Sequence, residues 1–203
     1  MQIHDRFLTG RRPDTTRVWD LHTHFRNIST HRNWVTLPEM FLKAGYAPVA
    51  GMGKIFHPVR DPRTGKIDDV GYSWTAPYYH ANMTLGSNMK QCYTQRPDSI
   101  PEALFGESML AQHAVDTLRN ISAARRALSG ADAAPATTPF FVAVGFHRPH
   151  LPWDVPGKYF GLYPPASEIP LADHDTPPRN WGPAGPWAWD PQPVMILQRT
   201  FLD

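Results

Sequence analysis

The chain has 203 residues, of which 41% are hydrophobic and 19% charged, and its formal net charge is +2. This length and balance predict one sizeable folded core and argue against disorder throughout. The small net charge gives no support for a nucleic-acid partner or for an anionic membrane surface, and no apolar run approaches the length of a membrane span. The start, MQIHDR, lacks the apolar middle of a secretory signal peptide.

The first predicted helix covers the sequence TLPEMFLKAGY. Thr36 is a suitable N-cap and Gly45 a suitable end, with a proline at an early helical position between them. The apolar segment that follows predicts a buried strand over 47–52, and residues 53–57 form its exit.

The second predicted helix begins after Ser108, its expected N-cap, and runs to about residue 128. A polar link over 129–139 leads to FFVAVGF, a continuous apolar run typical of a strand buried on both faces. The order helix, link, strand therefore occurs twice. This pattern favours an α/β domain with a mostly parallel sheet.

The composition changes after His150, where many of the 22 prolines and several tryptophans are found. Such a composition predicts sparse regular structure, above all over 166–203. The final VMILQRTFLD reads as the beginning of an apolar helix that is interrupted where the sequence stops.

Basic side chains follow both predicted strands. Lys54 and His57 leave the first strand, and His147 directly follows the second. Because ligands of open α/β sheets bind at the carboxyl ends of the strands, these side chains predict a site for a compact tetrahedral anion. The pattern alone leaves a plainer interpretation open, in which the lysine is solvated and the histidine belongs to a turn.

Two other motif interpretations are not supported by the residues present. GMGK resembles the end of a phosphate-binding loop, but Pro48 and Ile55 occupy positions that need glycine and a hydroxyl residue. Two histidine pairs could offer zinc nitrogens, but neither has an obvious third ligand at standard spacing, so structural or surface roles are favoured. These pairs are His22 with His24 and His147 with His150.

Four sequence blocks together resemble the sulfatase family, and within it the members that act on iduronate 2-sulfate. They are FLTGRRPDTTRVWD, GKIFHP, DDVGYSWTAPYYH and FFVAVGFHRPHLPW. They occur in the order found in that family, and the resemblance is strongest over 7–165. It implies that residues 1–203 form a partial sulfatase domain of the N-terminal type with an alkaline-phosphatase-like α/β fold.

The resemblance also implies a chemistry. Sulfatases hydrolyse sulfate esters with a formylglycine nucleophile made from cysteine, while a calcium ion and basic residues hold the sulfate. Matched position by position, Lys54, His57 and His147 correspond to sulfate-contacting residues. The implied partner is a sulfated glycosaminoglycan, dermatan or heparan sulfate, and the implied compartment is lysosomal or secretory.

The chain departs from the family in its nucleophile motif, Cys-x-Pro-Ser-Arg. Counted back from Phe7, the arginine position holds His4, and the cysteine would precede Met1. Cys92, in CYTQR, does not match the motif and reads as an ordinary thiol. We therefore expect no catalytic nucleophile and no formylglycine in these residues.

The calcium ligands are also expected to be absent. Two acidic runs imitate the family's metal motifs, but their order and neighbours predict solvated loops. They are Asp68 with Asp69, and Asp173, His174 and Asp175. A further departure is Pro48, where the family has Ser or Thr, and it predicts a bulge in the first strand.

Two hypotheses follow. In the first, the chain is part of a sulfuric ester hydrolase and is inactive by itself. In the second, it is a non-catalytic module that binds sulfated glycans through Lys54, His57 and His147.

Overall fold

The computed structural model describes residues 3–27, 33–82, 93–96, 99–128, 138–150, 153–165 and 168. The chain divides into two compact units, one made of residues 1–85 and 102–150 and the other of residues 86–101 and 151–203. Within the described ranges, no helix is both long and apolar enough to cross a membrane. Apart from Glu168, the predicted irregular stretch over 166–203 lies outside the described residues, as does Cys92.

The described residues contain four α-helices, all in the first unit, and four strands. The helices are α1 (Ile3–Thr9), α2 (Pro13–Thr16), α3 (Leu37–Lys43) and α4 (Gly106–Leu128). The strands are β1 (Val49–Gly53), β2 (Tyr93–Arg96), β3 (Phe141–Gly145) and β4 (Trp153–Pro156). Short 3-10 turns cover Phe25–Asn27, Glu102–Leu104 and Gly157–Leu162.

The two predicted helices are confirmed as α3 and α4. The Thr36 hydroxyl caps α3 by accepting a hydrogen bond from the amide of Glu39 at 3.4 Å. Helix α4 starts at Gly106, two residues before the predicted cap at Ser108. Helices α1 and α2 were not predicted, because seven and four residues carry too little periodicity and α2 lies among turn residues.

The two predicted strands pair in parallel, as expected of an α/β unit. β1 and β3 are in continuous register from Val49 opposite Phe141 to Gly53 opposite Gly145. The bulge predicted at Pro48 is wrong, because Pro48 lies just before the ladder and its carbonyl accepts the Phe141 amide at 3.0 Å. In the second unit, β2 and β4 form a separate parallel pair that the sequence did not predict.

The prediction that the second strand is buried on both faces is wrong. The first four residues of β1 are buried, whereas every residue of β3 is half-buried. In the described part of the chain, β3 pairs only with β1, so its other edge has no strand beside it. The inward face predicted for α4 is also shorter than expected, since Leu110 is fully buried but Leu118 is 45% exposed.

Two apolar clusters form the core of the first unit. One includes Leu8 of α1, and the other packs α4 against the sheet. Their buried members are Leu8, Val18, Phe25 and Phe56 in the first cluster, and Met52, Ala81 and Leu110 in the second. The second cluster therefore fixes the position of α4 on β1 and β3.

A buried charge cluster lies beside the first core. Arg26, 1% exposed, donates from Nε to Asp69 Oδ1 at 2.5 Å and from Nη2 to Glu39 Oε2 at 2.9 Å. The neighbouring Asp68 pairs with His80 at 2.8 Å. The prediction that Asp68 and Asp69 are solvated is therefore wrong, because both carboxyl groups are themselves buried and each has a basic partner.

The buried carboxyl group of Asp5 on α1 should make the stability of the fold depend on pH. It is 5% exposed, and burial, with the charge of Asp69 adding to it, raises its pKa from 3.8 to about 7. The raised value means that this group destabilises the fold progressively as the pH rises from 3.8 to about 7. Asp5→Asn should raise the free energy of unfolding by a few kcal/mol at about pH 8 and leave it nearly unchanged at about pH 4.

Urea unfolding at both pH values measures this effect. Asp14→Asn on α2 is the matched control, because the Asp14 carboxyl is largely exposed. Equal gains for the two variants, or a gain for Asp5→Asn that does not depend on pH, would contradict the assignment.

Candidate anion site at the ends of β1 and β3

The exit of β1 is fixed by backbone contacts. The amide of Lys54 donates to the carbonyl of Gly145 at 2.7 Å, which joins the carboxyl ends of the two strands. The hydroxyl of Tyr78 donates to the carbonyl of Gly53 at 2.9 Å, a second contact at the end of β1. The backbone of Lys54 is therefore held at a defined position at the edge of the sheet.

Two glycines make this close approach possible. Gly53 has a φ of +74°, and a Cβ there would overlap the carbonyl of Gly145. A Cβ on Gly145 would in turn overlap the carbonyl of Lys54. The two strand ends thus meet through backbone atoms of Gly53, Lys54 and Gly145.

The exit of β3 is held by a carboxylate from α4. Glu107 accepts the amide of His147 at 3.1 Å and the amide of Arg148 at 3.0 Å, and it also pairs with the Arg148 guanidinium at 3.3 Å. The amide of His150 then donates to the carbonyl of His147 at 3.0 Å, closing a turn. The start of α4 thereby positions both histidines of the HRPH motif.

Basic groups converge on His57. Its pKa is lowered most by burial and then by the positive charges of Lys54, His4 and His150. The charge of His22 makes the smallest contribution. Burial also lowers the pKa of Lys54. We call His4, Lys54, His57 and His150 the basic cluster. A buried His57 nitrogen, Nδ1, makes no hydrogen bond within the described part of the chain, so the cluster contains a buried polar atom that could bind a ligand.

The three predicted site residues occupy two positions. Lys54 and His57 lie in the basic cluster, while the ring of His147 packs edge-on against His150, with centroids 5.0 Å apart. His150 is exposed and its charge acts on both His57 and His4. The sequence pattern suggests His150 only as a possible zinc ligand. It marks His4 only as a departure from the nucleophile motif. The three-residue spacing of HRPH, which fits one turn, was the signal that could have added His150 to the site.

Calcium does not fit the described residues. Within them, no three histidine, cysteine or acidic side chains are grouped so that they could hold a metal ion. Asp68 and Asp69 are held by His80 and Arg26, as described above. Asp173, His174 and Asp175 lie outside the described residues.

The chain is similar in sequence to known sulfatases. The chain is 32% identical to iduronate 2-sulfatase of Homo sapiens in an alignment of 197 residues that covers 89% of the chain and 32% of that protein. It is also 32% identical to iduronate 2-sulfatase of Mus musculus, with 89% of the chain and 32% of that protein covered. A protein named sulfatase from Formosa agariphila is 30% identical over 181 residues, with 84% of the chain and 32% of that protein covered.

No model of a protein family matches the chain. The chain spans about one third of the length of the curated relatives it matches. The relationship implies the alkaline-phosphatase-like fold, with which the helices and the small parallel sheet of the first unit agree. The similarity to three sulfatases covers most of these 203 residues, so the chain is related to the sulfatase family.

Proposed function

We propose that the chain is part of a sulfuric ester hydrolase in which the basic cluster, with His147 beside it, holds the sulfate group. The observation that carries this proposal is the convergence of Lys54, His57 and His150 at the carboxyl ends of two paired parallel strands. Such a site attracts a compact anion, because its fixed charge is positive and its partial burial strengthens the attraction.

The residues of this chain bind and orient the sulfate. The Lys54 ammonium and protonated imidazoles donate to sulfate oxygens, and they stabilise the negative charge that builds up there during attack at sulfur. The formylglycine nucleophile of the family has no counterpart here, since Cys92 stands in CYTQR. The 203-residue polypeptide is therefore inactive by itself in this proposal.

The substrate class follows from the relatives. Two of the three are named iduronate 2-sulfatase, which supports a sulfated uronate of dermatan or heparan sulfate as the substrate of the whole enzyme. The same similarity supports a lysosomal or secretory location.

Binding of inorganic sulfate to the purified chain tests the site. We expect saturable binding by calorimetry at low salt, and at least a tenfold loss of affinity in Lys54→Ala, because a charged donor to an anion is removed. Lys66→Ala is the matched control, since Lys66 is an exposed lysine in the loop after β1. Absence of saturable binding, or equal affinities of the two variants, would contradict the proposal. A chromogenic sulfate ester should not be hydrolysed, and turnover lost in Lys54→Ala would overturn the proposed inactivity.

A second candidate function is a non-catalytic module that binds sulfated glycans. It is favoured by the presence of the basic cluster without a recognisable nucleophile motif. Titration with heparan or dermatan sulfate fragments separates the two. A module of this kind should bind the fragments far more tightly than inorganic sulfate, whereas part of a hydrolase should show similar affinity per sulfate group.

A further inference from the structure

His4 lies in the basic cluster although it comes from a different element. It belongs to α1, and its Nδ1 lies 2.9 Å from the carbonyl oxygen of Ile55, one residue after Lys54. A carbonyl oxygen can only accept, so Nδ1 carries the proton. In the neutral ring the lone pair is then on Nε2, and a second proton, when it binds, binds there.

The surroundings of His4 are basic. Lys54, from the strand exit, and His150, from the turn after β3, both act on it with positive charge. The charge of His4 acts likewise on His57. The adjacent carboxyl of Asp5 lies instead in the buried region of Asp69. Four basic groups from three separate elements thus lie near enough to act on one another, and their mutual repulsion is unfavourable.

Resting on the function proposed above, we infer that His4 is a further anion-binding residue and that it donates from Nε2 to the bound oxyanion only when its ring is doubly protonated. A dianion in the cluster would offset the repulsion among the imidazoles, so that binding and protonation support each other. The site would then retain sulfate in acid and release it near neutral pH.

The pH dependence of sulfate binding tests this inference. Sulfate is a suitable probe because it remains a dianion between about pH 5 and about pH 8, so any change in affinity reports protein groups. The affinity of the wild-type chain for sulfate should be at least tenfold higher at about pH 5 than at about pH 8. In His4→Gln we expect a loss of roughly fivefold to tenfold at about pH 5 and less than twofold at about pH 8, where the ring is neutral.

His4→Arg supplies a charge at every pH and should raise the affinity at about pH 8 by several-fold. Arg6→Gln is the matched control, because Arg6 is an exposed cation on the same helix. A far-ultraviolet circular dichroism spectrum checks that each variant is folded.

The outcomes separate the two proposals. If sulfate binds and Lys54→Ala abolishes binding while His4→Gln equals wild type at both pH values, the inference about His4 is wrong and the anion site stands. The same holds if His4→Gln loses no more than Arg6→Gln. If wild type binds no sulfate at either pH, both proposals fail.

Discussion

Replacing Arg26 with methionine should lower the free energy of unfolding by about 3 to 5 kcal/mol, because it leaves the buried Asp69 carboxylate without its cation. The guanidinium donates to both oxygens of Asp69, at 2.5 and 2.8 Å, and to the carbonyl of Trp34 at 2.9 Å. It also lies 4.3 Å from the ring centroid of Tyr72. Methionine fills much of the volume but replaces none of these hydrogen bonds. Urea unfolding at neutral pH measures the loss.

An exposed ion pair provides the control. Arg12 lies 3.6 Å from Asp14, and their side chains are 78% and 69% exposed. Arg12→Met should change the free energy of unfolding by less than about 0.5 kcal/mol. Similar losses in the two variants would contradict the cost assigned to leaving Asp69 buried without its cation. Addition of Asp69→Asn to Arg26→Met should recover part of the loss, because the uncompensated charge is then removed.

Gly145→Ala should lower the free energy of unfolding by roughly 1 to 3 kcal/mol and weaken sulfate binding by more than tenfold. The new methyl group would overlap the carbonyl of Lys54 and come within 2.9 Å of the amide nitrogen of Ile55. Both are backbone atoms, so the exit of β1 must move as a whole. Lys54 and His57 would move with it. Unfolding and sulfate titration on the same preparation measure the two effects.

Gly161→Ala is the matched control for this change. A Cβ at Gly161 would meet no atom within 4 Å. The variant should unfold and bind sulfate like wild type. Retention of full sulfate affinity in Gly145→Ala would contradict the role given to the close approach of the two strand ends.

The elements that the sequence predicted are those with a strong local pattern. Thr36 and Gly45 mark the ends of α3, and the apolar runs of β1 and β3 are long enough to identify as strands. Helix α1 escaped prediction because seven residues carry too little periodicity, and β2 and β4 because four residues of mixed polarity resemble a loop.

The candidate site was predictable only in part. Lys54 and His57 follow a strand, so the general geometry of parallel sheets is enough to predict them as candidates. His4 was beyond that reasoning, because it is 50 residues from Lys54 and comes from a helix whose direction depends on core packing. The burial of Asp69 was missed for the same reason. Its partner Arg26 is 43 residues away, and no local pattern links the two.

Helix α1 separates two environments of opposite charge. Its neighbouring residues His4 and Asp5 face, respectively, the basic cluster and the buried charge cluster that contains Asp69. Successive residues of an α-helix are rotated by about 100° around its axis, so the phase of this single short helix would decide which charge meets an anion in the proposed site. A one-residue insertion that kept Leu8 in the core would turn a carboxyl group toward the basic cluster. The chain would keep its composition and net charge almost unchanged, yet its affinity for a dianion would be cancelled by a salt bridge inside the site.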